Sequence, residues 1–526
     1  MHFDELQAPH EYGLPYKEWR SHQPEPILAL INTGKRVRSL IAPTGSGKSA
    51  IAATVHRATH QSAIVLTKNK SLQYQYRDTF PFIASIEGMD NFWCRLDDVK
   101  VSSAACQLGF MSCPHKDDDC EYFIQRAMAE KSQMIVTNYA YAMNALRSPN
   151  AFIGNMHWLV ADEGHLLDEE LTSHVTIELH QKQLESLGGV PKVGDDPIKW
   201  RKWAESKWDE WKTAFFELES EKEKVVEILN QNRRELVLHQ VPQQHRETIR
   251  QYFRVRAIKN ILEQFQGVDN TWVVSLGDKV TRLRPLWVAD KAKEFFKGWQ
   301  DILIMSATLP KADVLSTLLG LDKGSIYEHE LDSVFPASDR QVFYSPVAKM
   351  SRDTEDEGLT KIVPVISALL DRYPNDKVLI HTNSGKLQMA IVNMLPVRFK
   401  ERVAWHDTMS RNAAIKKFVT TTQPTVMISP SMESGVDVPD LRIQIIVKVL
   451  WEYLGDPWTY KRSQVWPDWF YWKTTTNMTQ AIGRVPRVEG LQCATYILDS
   501  NFGNVLWPKA EHMFPRYVRD AIVWPK

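Results

Sequence analysis

The stretch APTGSGKSA (42–50) carries the clearest chemistry in the chain. An apolar run, VRSLIA (37–42), leads into it, and the helical pattern IAATVHRA follows. Strand, glycine-rich loop and helix in that order form a phosphate cradle. Gly45 and Gly47 let the backbone turn its N–H groups toward the phosphates. Lys48 reaches the β- and γ-phosphates, and Ser49 offers a hydroxyl to Mg²⁺. The helix N-terminus adds partial positive charge. Ala42 stands where such loops usually have their first glycine.

HWLVADEGHLLDEE (157–170) supplies the other half of that chemistry. A hydrophobic strand ends in Asp162-Glu163, and an α/β sheet presents reactive groups at the C-terminal ends of its strands. Asp162 is expected to hold Mg²⁺. Glu163 is expected to orient or deprotonate the attacking water, since phosphoryl transfer depends on positioning more than on covalent chemistry. QAIGRVPR (480–487) adds Arg484 and Arg487. Reaching across a cleft to the γ-phosphate, such arginines accelerate hydrolysis by about 10³–10⁵.

A different chemistry is written in NFWCRLDDVKVSSAACQLGFMSCPHKDDDC (91–120). It holds Cys94, Cys106, Cys113 and Cys120, four of the five cysteines of the chain. In a reducing compartment, clustered cysteines bind metal or do redox chemistry more often than they pair. Four thiolates suit a [4Fe–4S] cluster or a tetrahedral Zn²⁺. No Cys-x₂-Cys pair of the zinc-ribbon kind occurs, and His115 is a spare ligand. Cys493, in the apolar run QCATYILD, reads as a core thiol.

These groups need elements to hold them. At 526 residues, 43% hydrophobic and 24% charged, the chain suits two large globular domains with smaller insertions. Its formal net charge is zero, so a nucleic-acid groove would have to come from local arrangement. Short apolar runs alternate with helical patterns: 37–42, 63–67, 134–138, 157–162 and 301–308, then 377–382, 425–429, 443–449 and 494–499. The two sets predict two parallel α/β sheets, joined near SVFPASDR (333–340). Residues 86–130 and 181–270 break the pattern. In the second, Trp200, Trp203, Trp208, Trp211, Phe215 and Leu218 recur at helical spacing and predict the buried face of a helical hairpin. Arg246, Arg250 and Arg254 share a face of its other arm, either solvated or turned to phosphates. The start, MHFDELQAPH, lacks the apolar core of a signal peptide, and no apolar run approaches the roughly 18–20 residues that span a bilayer. The expected location is cytoplasmic, or nuclear in a eukaryote, with no membrane partner.

Taken in order, APTGSGKS, LTKNKSLQYQ (66–75), DEGH (162–165), SATLP (306–310), IHTNS (380–384), ESGVDVP (433–439) and QAIGRVPR resemble motifs I to VI of superfamily 2 helicases, motif Ia included. IEGMDNFWC (86–94), CEYFIQRAMAEKSQMIVTNYAYAM (120–143) and SVFP…R (333–340) resemble the XPD/DinG branch, the iron–sulfur helicases. The resemblance implies two RecA-like parallel-sheet motor domains. Residues 1–85, 131–180 and 271–332 would form the first, and 333–526 the second. An iron–sulfur cluster domain (86–130) and a helical arch (181–270) would be inserted. It implies ATP-driven 5′→3′ movement on single-stranded DNA and separation of forked or DNA–RNA hybrid duplexes, by a chain expected to act as a monomer. The alternatives are an RNA helicase, a duplex translocase, or a non-catalytic remnant that only binds nucleic acid.

The resemblance also assigns residues. Thr44, Gly45, Ser46, Gly47, Lys48, Ser49, Asp162 and Gln480 would bind ATP and Mg²⁺, and Gln23, in EWRSHQ, would contact the adenine. The position of the cysteines between motifs Ia and II favours [4Fe–4S] over Zn²⁺. Thr67 and Thr382 would contact nucleic-acid phosphates. From the residues themselves, the tract WEYLGDPWTYKRSQVWPDWFYWK (451–473) offers rings for base stacking, with Trp458 and Tyr460 as candidates, and Arg250 and Arg254 offer charge. The chain departs from the pattern in places. Gly164 replaces the alanine of motif II, a change expected to be tolerated, and Ser434 stands at the glutamate position of motif V. Nothing resembles the nuclease domain fused to some relatives, so unwinding without cutting is expected.

Overall fold

The computed structural model describes residues 3–525 apart from 97, 109–112, 114, 117, 148–150, 232–241, 433–437, 439 and 486–489, with backbone alone at 230 and 231. Two seven-stranded sheets dominate it, and every pairing in them is parallel. The first runs Ile326–Glu330, Val37–Ile41, Asp301–Ser306, Trp158–Asp162, Ala63–Thr67, Met134–Asn138, Ile83–Ser85. The second runs Val403–Ala404, Val426–Ser429, Lys377–His381, Leu441–Ile446, Cys493–Asp499, Arg340–Ala348, Ile522–Val523.

Helices cover both faces of each sheet, which is why the central strands read as unbroken apolar runs. Val37–Ile41, Ala63–Thr67, Trp158–Asp162 and Lys377–His381 are buried at every position. Ile326–Glu330, at one edge of the first sheet, and Arg340–Ala348, next to the edge of the second, gave weaker sequence signals, since both are only partly buried along their length. In the first sheet, the strands ending before the glycine-rich loop, at Ser306 and at Asp162 lie side by side. Their C-terminal ends therefore share one rim.

The long insertion is a helical pair, Pro197–Gln231 and Gln243–Gln264, standing on a three-stranded antiparallel sheet. The expected tryptophan face is buried between them. Trp200 is fully enclosed and its indole donates to Gly194 O at 2.8 Å. Trp203, Trp208 and Trp211 pack partly buried around the same core, and Phe215 stacks edge-on against Trp208. At the far end, Val225, Leu229 and Ile249 form an apolar cluster with Ala105, and Leu108 packs against it. The helical pair thus reaches the cysteine stretch.

The two sheets are also tied directly. Trp458, Trp469 and Trp472 belong to one hydrophobic cluster with Leu167, Leu171 and Ile304 of the first sheet's core. The helix that carries Trp469 and Trp472, Pro467–Ile482, ends in the second sheet's core through Met478, Ala481 and Ile482. One continuous helix, about 24 Å long, is rooted in both.

Candidate active site

The glycine-rich loop has the bend its sequence requires. Gly45 and Gly47 adopt φ of 90° and 83°, in the left-handed region that glycine occupies without strain. A side chain at 47 would also collide with Gln23, whose Nε2 lies 2.3 Å from the position of a Cβ. The helix Lys48–Thr59 starts immediately after, so its free N–H groups face the loop. Residues before the first strand brace the loop's outer carbonyls. Arg20 Nη1 donates to Gly45 O at 2.7 Å, Gln23 Nε2 donates to Ser46 O at 3.3 Å, and His22 Nε2 lies 3.0 Å from that same oxygen. Gln23, expected at the adenine, is buried against the loop in this arrangement. Ser46 Oγ donates to Pro43 O, and Lys48 Nζ donates to Ala42 O at 3.3 Å.

Asp162 ends its strand almost wholly buried. Its Oδ2 accepts from Tyr76 Oη at 3.0 Å and its Oδ1 from the Glu163 N–H at 2.9 Å. Tyr139 Oη donates to its main-chain oxygen at 2.8 Å. Burial, and next the Glu163 charge, push its carboxyl up to about 6 against the pull of Lys48. A carboxylate so short of positive charge, beside a P-loop hydroxyl, fits a divalent cation. Glu163 takes a left-handed conformation, φ 53°, which turns its side chain off the strand. Burial works to raise its carboxyl, but His165, Lys48 and the Ser306 hydroxyl together hold it below the usual range.

From Glu163 a chain of polar contacts crosses to the second sheet. Ser306 Oγ donates to Glu163 Oε2 at 3.1 Å and lies 2.7 Å from His165 Nδ1. His165 Nε2 lies 2.8 Å from Gln480 Nε2, which can only donate there. The imidazole is therefore neutral with its proton on Nδ1, in line with burial pushing its pKa down to about 4. Gln480 does not face the glycine-rich loop; it reports on motif II. Pro43 and Thr44 share a narrow cleft with Gly483 and Val485 of the second sheet's domain. Arg484 sits in the turn just past the helix end, its N–H on Ala481 O, and its charge bears on buried His381. Arg487 and the motif V residues 433–437, Ser434 among them, lie outside the described residues.

The expected nucleic-acid contacts fare unevenly. Trp458 is 7% exposed and donates its indole N–H to Pro285 O at 2.8 Å, so it packs between domains and cannot stack on a base in this arrangement. Tyr460 is exposed. Thr67 and Thr382 are fully buried, with hydroxyls donating to backbone carbonyls. Arg250 and Arg254 are on the solvent side of their helix, and Arg254 lies 3.9 Å from Glu247. Gly164 has a local reason: Ile304 Cγ2 lies 2.3 Å from where a Cβ would be.

All the cysteines are free thiols. Cys113 and Cys94 lie close enough to Cys106 to act on its charge, and burial followed by Cys113 pushes the Cys106 thiol up to about 11. Cys94, Cys106 and Cys113 are partly buried neighbours and Cys120 is buried, so the residue types suit a metal group, which would have to draw them to thiolates. Among the described residues, no three His, Cys, Asp or Glu side chains stand in ligating array. Cys493 is buried in its strand, as expected of a core thiol.

Fold and site together define a superfamily 2 helicase: two RecA-like motors with a P-loop and an acidic motif II on the first and a motif VI helix on the second. Residues 16–189 match the family described as type III restriction enzyme, res subunit, and residues 366–521 match the helicase C-terminal domain family. A solved XPD helicase is similar in fold, with a TM-score of 0.62 at 14% identity over 97% of this chain and 100% of that one. Xpd4 of S. tokodaii gives 0.56 at 13% identity over 95% and 98%, and an apo XPD gives 0.56 at 13% over 95% and 99%. A search of curated proteins finds no match. The two family matches, one on each motor, support a superfamily 2 helicase, an ATP-dependent enzyme, and its fold is like that of XPD helicases. Among the described residues, no helix is long and apolar enough to cross a membrane.

Proposed function

We propose that the protein is a DNA helicase that hydrolyses ATP between its motors, moves 5′→3′ along a single strand, and opens forked or DNA–RNA hybrid duplexes without cutting them. The observation that carries this is the contact chain Gln480–His165–Ser306–Glu163, which couples the second motor to the carboxylate that handles the attacking water. Motion between motors then alters the hold on Glu163, and hydrolysis alters the hold between motors.

Lys48 and the loop N–H groups of Gly45, Ser46 and Gly47 bind the β- and γ-phosphates, with Thr44 at the mouth and Gln23 at the adenine side. Ser49 and Asp162 would hold Mg²⁺, which supplies neutralising charge on those phosphates. Glu163, kept ionised by Lys48 and the Ser306 hydroxyl, accepts a proton from water. Arg484 and Arg487 stabilise charge on the transferring group. Cys94, Cys106, Cys113 and Cys120 would hold a [4Fe–4S] cluster, which braces a stretch too short to order itself by burial. The contact of Val225, Leu229 and Ile249 with Ala105 suits a strand passed between arch and first motor. Tyr460, Arg250 and Arg254 remain candidates on that path.

Anaerobic purification with iron and sulfide assay, followed by displacement on 5′- and 3′-tailed DNA, RNA and hybrid duplexes, tests the reading. Iron with sulfide and activity confined to 5′-tailed substrates are expected, with Lys48→Ala losing at least about 100-fold in ATP turnover. Iron-free protein of full activity, or unwinding from 3′ tails alone, would overturn it.

A further inference from the structure

Two tyrosines grip Asp162 in different ways. Tyr139 donates to its main-chain oxygen, whereas Tyr76 donates to the carboxylate itself. Tyr76 is 1% exposed and lies on the helix Lys70–Thr79 that follows motif Ia. The Ser49 hydroxyl lies near enough to act on the same phenol, so one side chain holds one of the groups expected around Mg²⁺ and adjoins the other. With Oδ1 held by the Glu163 N–H and Oδ2 by Tyr76, the carboxylate has little freedom to rotate.

The helix carrying Tyr76 is fixed at its other end to the cysteine stretch. Lys70 Nζ donates to Asn91 Oδ1 and lies 3.4 Å from Glu87. In the middle, Gln73 is fully buried and donates to Ser85 Oγ at 2.7 Å and Ile86 O at 2.9 Å. The helix is thus held both at its start and in its middle by the stretch that leads to the cysteines.

We infer that Tyr76 is a positioning residue for the nucleotide–metal site, setting the Asp162 carboxylate for Mg²⁺ and tying it through helix 70–79 to the cysteine stretch. The inference rests on the proposed ATP–Mg²⁺ reading and adds to it a residue that motif order does not point to. Groups that orient a ligand typically change metal affinity by roughly 10- to 100-fold when removed.

The test is Mg²⁺ titration of fluorescent ATP-analogue binding to the full chain, with thermal melting alongside. Tyr76→Phe should raise the Mg²⁺ needed for half-maximal binding roughly tenfold, leaving binding in EDTA unchanged. Tyr139→Phe should lower the melting temperature without moving that midpoint. An unmoved midpoint in Tyr76→Phe, or equal movement in both variants, overturns the inference. Wild-type protein that binds nucleotide without regard to Mg²⁺ would instead sink the underlying ATP–Mg²⁺ reading. If Tyr76→Phe does not fold, hydrogen exchange on the wild type decides. Nucleotide with Mg²⁺ should slow amides 70–79 more than nucleotide with EDTA, and equal exchange overturns the inference.

Discussion

Thr67 ends a strand of the first sheet, and Thr382 follows one of the second. Each is fully buried, and each donates its hydroxyl to the carbonyl two residues on, at 3.1 Å to Asn69 O and 3.2 Å to Ser384 O. Asn69 and Ser384 then cap the next helix in the same way, accepting from Leu72 N at 3.0 Å and Leu387 N at 3.1 Å. His165 and His381 repeat the likeness: both are buried near strand ends, and burial pushes both down to about 4. The scaffolds match, yet their chemistry differs. The first sheet's rim carries the glycine-rich loop and the Asp162–Glu163 pair, while the second half reaches motif II through Gln480 on His165. A repeated architecture can thus divide one reaction between a half that binds and a half that responds.

The largest effect should come from uncoupling the halves. Arg462 donates two hydrogen bonds, each 2.8 Å, to Asp168 just beyond motif II, and both residues are buried. Arg462→Ala strands a buried carboxylate and should cost about 3–5 kcal/mol, read by denaturant unfolding. No loss would mean that the two motors do not depend on this tie.

Acidification tests the histidine likeness. Each is held near 4 when folded against 6.5 otherwise, so the unfolded chain takes up more protons in between. Stability should be fully present above pH 6.5 and fall by about 1.4 kcal/mol per pH unit for each histidine as pH drops toward 4. His381→Gln should flatten the slope in a melting series by one histidine's share; an unchanged slope breaks the comparison.

Gln480→Ala removes the donor to His165. ATP turnover should slow about tenfold with KM little changed, the value of one hydrogen bond that matters only when the motors respond to each other. A rise in KM alone would place Gln480 in ground-state nucleotide binding instead. Smallest, Thr67→Val and Thr382→Val should each cost about 1 kcal/mol. Equal losses sharpen the likeness between the two loops, and unequal ones show where it stops.

Much of this was legible beforehand. Fully buried parallel strands are apolar runs, so the central strands of both sheets stood out, and the loop and acidic pair carry residue types that few other structures need. Edge strands were missed because half-exposed positions dilute the signal. Trp458 was read toward nucleic acid, since an aromatic beside Lys461 and Arg462 looks the same whether it lines a groove or fills an interface. Ser306 was visible only as part of a motif, and nothing in the sequence pointed to Tyr76, since a tyrosine on a polar helix carries no mark of what its hydroxyl meets.

By itself, then, the sequence determined the alternating α/β scaffold, the phosphate loop, the acidic strand end and the crowding of cysteines. These depend on periodicity and on neighbours along the chain. The tertiary structure alone decided that Gln480 reaches His165, that Arg462 locks to Asp168, and that the arch touches the cysteine stretch. Each of those contacts joins residues more than a hundred positions apart, and only burial and hydrogen-bond satisfaction in three dimensions select them.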